Sequence, residues 1–337
     1  MQLISFSSYT NALPDYPVIS ETNYLALMKS KVVPYLKARR HSSYLSREGS
    51  QKLFYKIYHS DAKEIRGTVV ISHGFSESTM KYHEVIYYFL KEGYHVAICD
   101  HRGHGFSRND KETDIANTAS YVRKFQYYVK DFHVFMTTAV MPELPGPYYL
   151  YAHSMGGCIG ALYLEQHPDI FKKAILNAPM LEVDRGGMPK WAAKLITTTA
   201  CALGQGRHFL MGQTPFSSKE DFEHSASNCK NRYLYYYHYR LETPEFQNSG
   251  SSYRWAKEAM SANSRVVRKR NCKKVQAEVL LLQAEYDTYV LPKGQTTFIK
   301  NIKKGTLIRV PHSKHEIYLS NNQVLKKYWS AVFKFLK

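Results

Sequence analysis

Acidic residues are scarce in this chain. Its 337 residues hold 28 Asp and Glu against 46 Lys and Arg, a formal net charge of +18. Such an excess points to an anionic partner, either nucleic acid or a membrane surface. Cysteine is scarce as well. The five (Cys99, Cys158, Cys201, Cys229 and Cys272) are odd in number and scattered, with no C-x-x-C pair. That argues against a disulfide framework and against a structural zinc site. Cys99 and Cys158 stand among apolar neighbours and read as small core residues. No run approaches the ~18 consecutive apolar residues of a membrane-spanning helix. Residues 1–17 lack the basic start and apolar core of a secretory signal, so the expected location is cytoplasmic, with membrane contact open from that side. Internal repeats and low-complexity segments are missing too. Aromatic residues are not: there are 28 tyrosines, and 44% of the chain is hydrophobic. Disordered chains are poor in such residues. The length suffices for a full core, as two domains or as one carrying an insertion.

Short β-like stretches near Tyr44–Arg47 and Leu53–Tyr58 follow an irregular or helical leader of about 40 residues. An alternation then begins. Strand-like Thr68–Ser72, His95–Cys99, Tyr148–Ala152 and Lys173–Asn177 are interleaved with helix-like Lys81–Lys91, Ala119–Val140 and Gly157–Gln166. The pattern lapses for about 90 residues that look helical and irregular. It resumes with strand Glu278–Gln283, helix Pro292–Lys300, strand Thr306–Val310 and helix Gln323–Leu336. Strands alternating with helices predict βαβ units and a mostly parallel sheet covered on both faces. The expected organisation is one α/β core, residues 1–180 and 276–337, interrupted by a mostly helical insertion, 181–275. Such an insertion is expected to return over the C-terminal ends of the strands, where α/β sheets keep their sites.

The strongest local signal is Ala152-His153-Ser154-Met155-Gly156-Gly157, between a predicted strand and a predicted helix. A serine on that tight turn projects its hydroxyl into a cleft, and small residues two before and two after let the turn close. Ala152 replaces the first Gly of G-x-S-x-G. The N–H of Met155, at the start of the helix, can donate to an oxyanion. After strand Thr68–Ser72 comes His73-Gly74-Phe75, whose loop can aim the N–H of Phe75 at the same oxygen. Asp100-His101-Arg102-Gly103-His104-Gly105 follows the next strand. Its glycines read better as a tight turn, braced by an Asp100–Arg102 pair, than as a metal site.

A serine nucleophile needs a base oriented by an acid. Glu285 and Asp287 follow one late strand, and His312 and His315 follow the next. Spacing alone separates neither pair. The order serine, acid, histidine is that of an α/β-hydrolase.

From about residue 50 to the end, the chain resembles the α/β-hydrolase superfamily, in the branch of bacterial lysophospholipases and monoacylglycerol lipases. The stretches that carry the resemblance are Asp100–Ser107 (DHRGHGFS), Ala152–Gly157 (AHSMGG), Asn177–Met180 (NAPM), Leu280–Asp287 (LLLQAEYD) and Lys314–Ile317 (KHEI). The resemblance implies Ser154 as nucleophile, Asp287 as acid and His315 as base, with Phe75 and Met155 as oxyanion donors. Ala284 departs from the Gly usual at the start of the acid loop. The resemblance also implies a helical lid, no metal or organic cofactor, and hydrolysis of the carboxylic ester of a single-chain lipid through an acyl-enzyme on Ser154. A lysophospholipase comes first. The rivals are a monoacylglycerol lipase, a general carboxylesterase and an inactive lipid-binding protein on the same scaffold.

Residues 185–274 carry 16 Lys and Arg against 6 Asp and Glu, more than half of the net charge. The densest cluster is Arg268-Lys269-Arg270 with Lys273 and Lys274. Any one lysine reads best as solvated surface. Together they suggest a basic lid resting on anionic lipid headgroups at the inner face of the cell membrane. With no recognition motif for nucleic acid, that partner is not expected. Tyr233–Tyr239 lies in the same segment and reads as helix packing, or else as the wall of an acyl channel.

Overall fold

The computed structural model describes residues 2–47, 51–108 and 118–337. Nine strands form one sheet: β1 (Gln2–Leu3), β2 (Arg40–Ser46), β3 (Lys52–Tyr58), β4 (Gly67–Ser72), β5 (Tyr94–Cys99), β6 (Tyr148–His153), β7 (Phe171–Asn177), β8 (Glu278–Tyr286) and β9 (Gly305–Lys314). Their order is β1-β9-β8-β7-β6-β4-β5-β3-β2. From β1 to β5 every neighbour is parallel. The hairpin of β2 and β3 closes the other edge antiparallel.

The inner strands are β-branched and apolar because both faces are covered. Successive side chains point to opposite faces. Val69, Ile71, Leu280 and Leu282 therefore join the core on one side, while Val70, Val279 and Leu281 join the core on the other. Helices His83–Lys91 and Asn322–Leu336 cover the first side. Gln126–Phe135 and Ser154–Gln166 cover the second.

The expected alternation is present, with differences at its margins. The leader supplies β1 and a helical run from Tyr24 to Lys37 that buries Tyr24, Met28, Val32 and Leu36. The predicted helix from Ala119 begins only at Gln126. Ser120 is instead held in a β-bridge to Ser251.

Residues 181–275 hold helices Lys190–Ala202, Lys230–Glu242, Tyr253–Val266 and Lys269–Cys272, linked by irregular chain. They attach to the core unequally. Trp255, Ala259, Ala262 and Val266 of the third helix are buried in the core beside the Ser154 helix. Helix Lys230–Glu242 is pinned by Arg232, a fully buried side chain that donates from both Nε and Nη2 to Glu84 at 2.9 Å. Helix Lys190–Ala202 buries only Ala193 and Thr197.

Candidate active site

The strand-to-helix turn after β6 holds Ser154 at φ 49°, in the left-handed region that costs a non-glycine residue about 1–2 kcal/mol. The turn is forced by close approach. A Cβ on Gly156 would lie 2.1 Å from the carbonyl oxygen of Ser72, and one on Gly157 would lie 2.6 Å from Pro179. Ala152 is fully buried and fits with its methyl, so the first Gly of the motif is not needed here.

Three side chains from three strand ends meet at this turn. His315 Nε2 lies 2.8 Å from Ser154 Oγ, and His315 Nδ1 lies 2.8 Å from Asp287 Oδ2. The second oxygen of Asp287 accepts from the N–H groups of Tyr289 and Val290, at 2.9 and 3.0 Å. Burial pushes the Asp287 carboxyl up. The hydrogen bond and charge of His315, with those two N–H groups, outweigh it and hold the group below its usual range. Tyr289 lies over the His315 ring at 5.0 Å. The two residues that spacing could not reject pair with each other instead. Glu285 accepts from the backbone N–H of His312 at 2.8 Å, out toward solvent and Arg309.

Phe75 packs on Trp255, with ring centroids 4.2 Å apart, and lines the same cavity as Ser154. Met155 is buried, and its N–H falls in the first helical turn, where N–H groups have no intrahelical acceptor. A Ser–His–Asp chain beside such N–H groups can move a hydroxyl proton to imidazole and hold negative charge on an attacked carbonyl.

The expected Asp100–Arg102 brace does not form. Arg102 is bidentate to Asp131, at 2.8 and 2.9 Å, and Arg47 joins the same carboxylate. Asp100 turns inward and accepts from the N–H groups of Thr79 and Phe106. Gly105 is required there, since a Cβ would come within 2.2 Å of Asp100. The histidines of that loop are spent on hydrogen bonds. His73 Nε2 accepts from His101 N, His101 Nε2 meets Ser72 Oγ, and His104 Nδ1 meets the carbonyl of Arg102. Burial lowers His73 to about 4 and His104 to about 3.

One group escaped the sequence reading. Glu77 is buried behind the site and accepts from Gly74 N at 2.6 Å, Tyr82 Oη at 2.7 Å, Tyr318 Oη at 2.8 Å and Lys81 Nζ at 3.0 Å. Lys81 also bridges to Glu316, next to His315. Burial alone would raise Glu77, but Lys81 and these donors hold it well below the carboxylate range. His153 sits between Glu77 and His315, its ring 4.8 Å from that of His315, and burial lowers it to about 3. The Glu77–Lys81 spacing of four was visible in the sequence. The partner at 316 was not.

The site opens on a cavity of about 670 Å³. Its walls include Met180, Met188, Ile196, Leu210, Trp255 and Met260. The tyrosine helix contributes Tyr233, Tyr236 and Tyr237 to this wall and turns Tyr235 and Tyr239 to the core, where Tyr235 Oη meets His83 at 2.7 Å. The run therefore packs on the core with one face and lines the cavity with the other. The cluster at 268–274 is elsewhere. Three residues separate it from β8, whereas Asp287 follows the last residue of that strand, so the cluster sits toward the other end of the sheet from Ser154.

A family model described as serine aminopeptidase, S33, matches residues 63–322. The chain belongs to this family. The chain is also similar to a probable lysophospholipase L2 of Haemophilus influenzae, 24% identical over 95% of this chain and 99% of that protein. Lysophospholipase L2 of Escherichia coli is 31% identical over 66% of this chain and 64% of that one. Among solved structures, a soluble variant of monoglyceride lipase from Saccharomyces cerevisiae superposes with a TM-score of 0.69 at 20% identity, over 89% of this chain and 95% of that one. The fold is that of an α/β-hydrolase, as the resemblance implied.

Proposed function

We propose that this member of the family hydrolyses the carboxylic ester of a single-chain lipid, a lysophospholipid first and a monoacylglycerol second. The observation that carries the reading is the Asp287–His315–Ser154 chain, with both links at 2.8 Å, opening on a largely apolar cavity of about 670 Å³. That volume lies within the range of small-molecule sites. The names of the relatives support the substrate class.

Ser154 Oγ attacks the acyl carbonyl as His315 Nε2 takes its proton. Asp287 holds the Nδ1–H and stabilises the imidazolium. The N–H groups of Phe75 and Met155 bind the oxyanion, each worth about 3 kcal/mol of barrier. His315 returns the proton to the leaving alcohol, and water then releases the fatty acid. The segment 181–275 serves as the cap, with helix Lys190–Ala202 as its outer rim. That helix presents Trp191 and Leu195 to solvent at 71% and 60% exposure, beside Lys190 and Lys194, and lines the cavity with its other face. Leu203 and Met211, at 71% and 72%, extend the exposed apolar surface. This combination fits peripheral contact with an anionic bilayer.

Labelling with a fluorophosphonate, with Ser154→Ala as control, tests the nucleophile. A panel of lysophosphatidylcholine, monoacylglycerol, a short-chain ester and an aminoacyl amide then tests the substrate. Turnover of a lipid ester above the other two classes is expected. No labelling, or preference for the aminoacyl amide, would overturn the reading.

A further inference from the structure

At the far edge of the sheet, three side chains from three elements converge on one point. His41 lies on β2 opposite Ile57 of β3. His59 is the residue after β3, two beyond Ile57, and is held there by its N–H to the carbonyl of Arg39. Side chains on one face of a hairpin repeat every second residue, so His41 and His59 are diagonal neighbours on the same face. Glu143 ends the short helix Met141–Glu143 and reaches between them. Its Oε1 lies 3.0 Å from His59 Nε2, and its Oε2 lies 3.3 Å from His41 Nε2.

We infer that His41, His59 and Glu143 form a binding site for a divalent transition-metal ion, with zinc as the best-matched occupant. The donor set is two imidazoles and a carboxylate, which zinc takes readily. Two ligands held by a tetrahedral zinc at about 2.0–2.1 Å stand about 3.3–3.4 Å apart. Each imidazole nitrogen already lies near that edge length from one of the two Glu143 oxygens, and one ligand atom from each of the three residues lies within 4.8 Å of the others. The remaining approach, from within 4.8 Å to that edge length, falls to side chains that are 45%, 47% and 33% exposed and so have room to turn. Among the described residues, no other group of this kind converges in this way. The ion would need a neutral imidazole lone pair at each Nε2, in place of the hydrogen bond between His59 and Glu143 and the close approach of His41 to the same carboxylate.

The location gives the ion a purpose apart from hydrolysis. β2 is the outermost strand of the sheet. An unprotected edge strand is a template for pairing with other chains. A zinc here ties β2 and the end of β3 to the segment that leads into β6. Tyr58 pairs with Val96, early in β5, while Ser154 follows the end of β6, so the site is at the opposite end of the sheet from the reaction.

The test is calorimetric titration of zinc chloride into untagged, chelator-treated protein, with the thermal midpoint measured in parallel. One zinc per chain is expected, with a rise in the midpoint. His59→Ala and Glu143→Gln should each weaken binding by more than the roughly 10–100-fold that loss of an outer-shell partner costs. Both should leave ester hydrolysis unchanged. His224→Ala, which removes an imidazole paired with Asp221 on the exposed surface, should bind zinc as the parent does. Absence of zinc binding by the parent would overturn the inference. So would equal binding by the parent and His59→Ala.

Discussion

Ser154 pays for its reach with backbone strain, and its neighbours remove the alternatives. Because Asp287 holds His315 through a single 2.8 Å bond, Asp287→Asn should lower kcat for a chromogenic ester by about 10⁴-fold, leaving KM much less changed. Glu285→Gln should leave both constants unaltered, since Glu285 faces His312 N and Arg309 rather than His315. Asp287 also makes stability depend on pH. Its folded pKa is held below the ordinary aspartate value near 3.9, so its contribution is complete above that unfolded value and is lost as pH falls through the folded one. The urea midpoint of the parent should therefore fall more between pH 6 and pH 3 than that of Asp287→Asn. Glu77 is costly to lose although it lies behind the reacting atoms. Glu77→Ala strands the buried ammonium of Lys81 with Glu316 alone and frees Gly74 N, beside Phe75. A loss of about 3–5 kcal/mol in urea unfolding is expected, together with a fall in kcat.

Among the elements, the helices of residues 181–275 divide the work between holding and shaping. Helix Lys230–Glu242 does both, because a run of tyrosines at helical spacing has two aromatic faces. Tyr235→Phe removes the bond to His83 and should cost about 1 kcal/mol of stability without changing ester kinetics. Tyr233→Trp enlarges a cavity-lining side chain and should cut kcat/KM for the longest acyl chains by about tenfold relative to short ones. The two variants exchanging these effects would show that the helix faces are assigned the wrong way round. The sequence displayed the tyrosine run but not its orientation, because Arg232 meets Glu84 across 148 residues. The same long range hid the partner of Arg102. Its local rival Asp100 was nearer in the chain, yet Asp131 on a neighbouring helix takes the guanidinium. Strands β4 to β9 were legible because burial on both faces makes them continuous apolar runs. The two-residue strand β1 has no such pattern and owes its pairing to β9. The acid was ambiguous because Glu285 and Asp287 both follow the predicted strand Glu278–Gln283, two residues apart in one loop. β8 breaks its register between Ala284 and Tyr286, which lets the two carboxylates part.

At the scale of the whole molecule, the +18 charge includes basic groups toward both ends of the sheet, Lys190 and Lys194 toward one and the cluster at 268–274 toward the other. The cluster at 268–274 lies away from the cavity, and Lys190 and Lys194 belong to helix Lys190–Ala202, which lines the cavity through Ala193, Ile196 and Thr197. The proposed bilayer contact through helix Lys190–Ala202 would make these two groups unequal. Burying Trp191 and Leu195 in the interface is worth about 1.5–3 kcal/mol each, and each nearby lysine about 1 kcal/mol on an anionic surface. The distant cluster is separated from that surface by the length of the strands, well over the Debye length of about 8 Å at physiological salt. Co-sedimentation with vesicles of mixed zwitterionic and anionic phospholipid separates the contributions. Trp191→Ser with Leu195→Ser should lower binding by at least tenfold at any salt concentration. Lys190→Glu with Lys194→Glu should lower it strongly at 0.1 M salt and weakly at 0.5 M, because screening removes what the charges supply. Arg268→Glu with Arg270→Glu changes the net charge by the same amount and should have little effect. Equal losses from the two charge-reversed pairs would mean that net charge, not the rim helix, holds the protein to lipid.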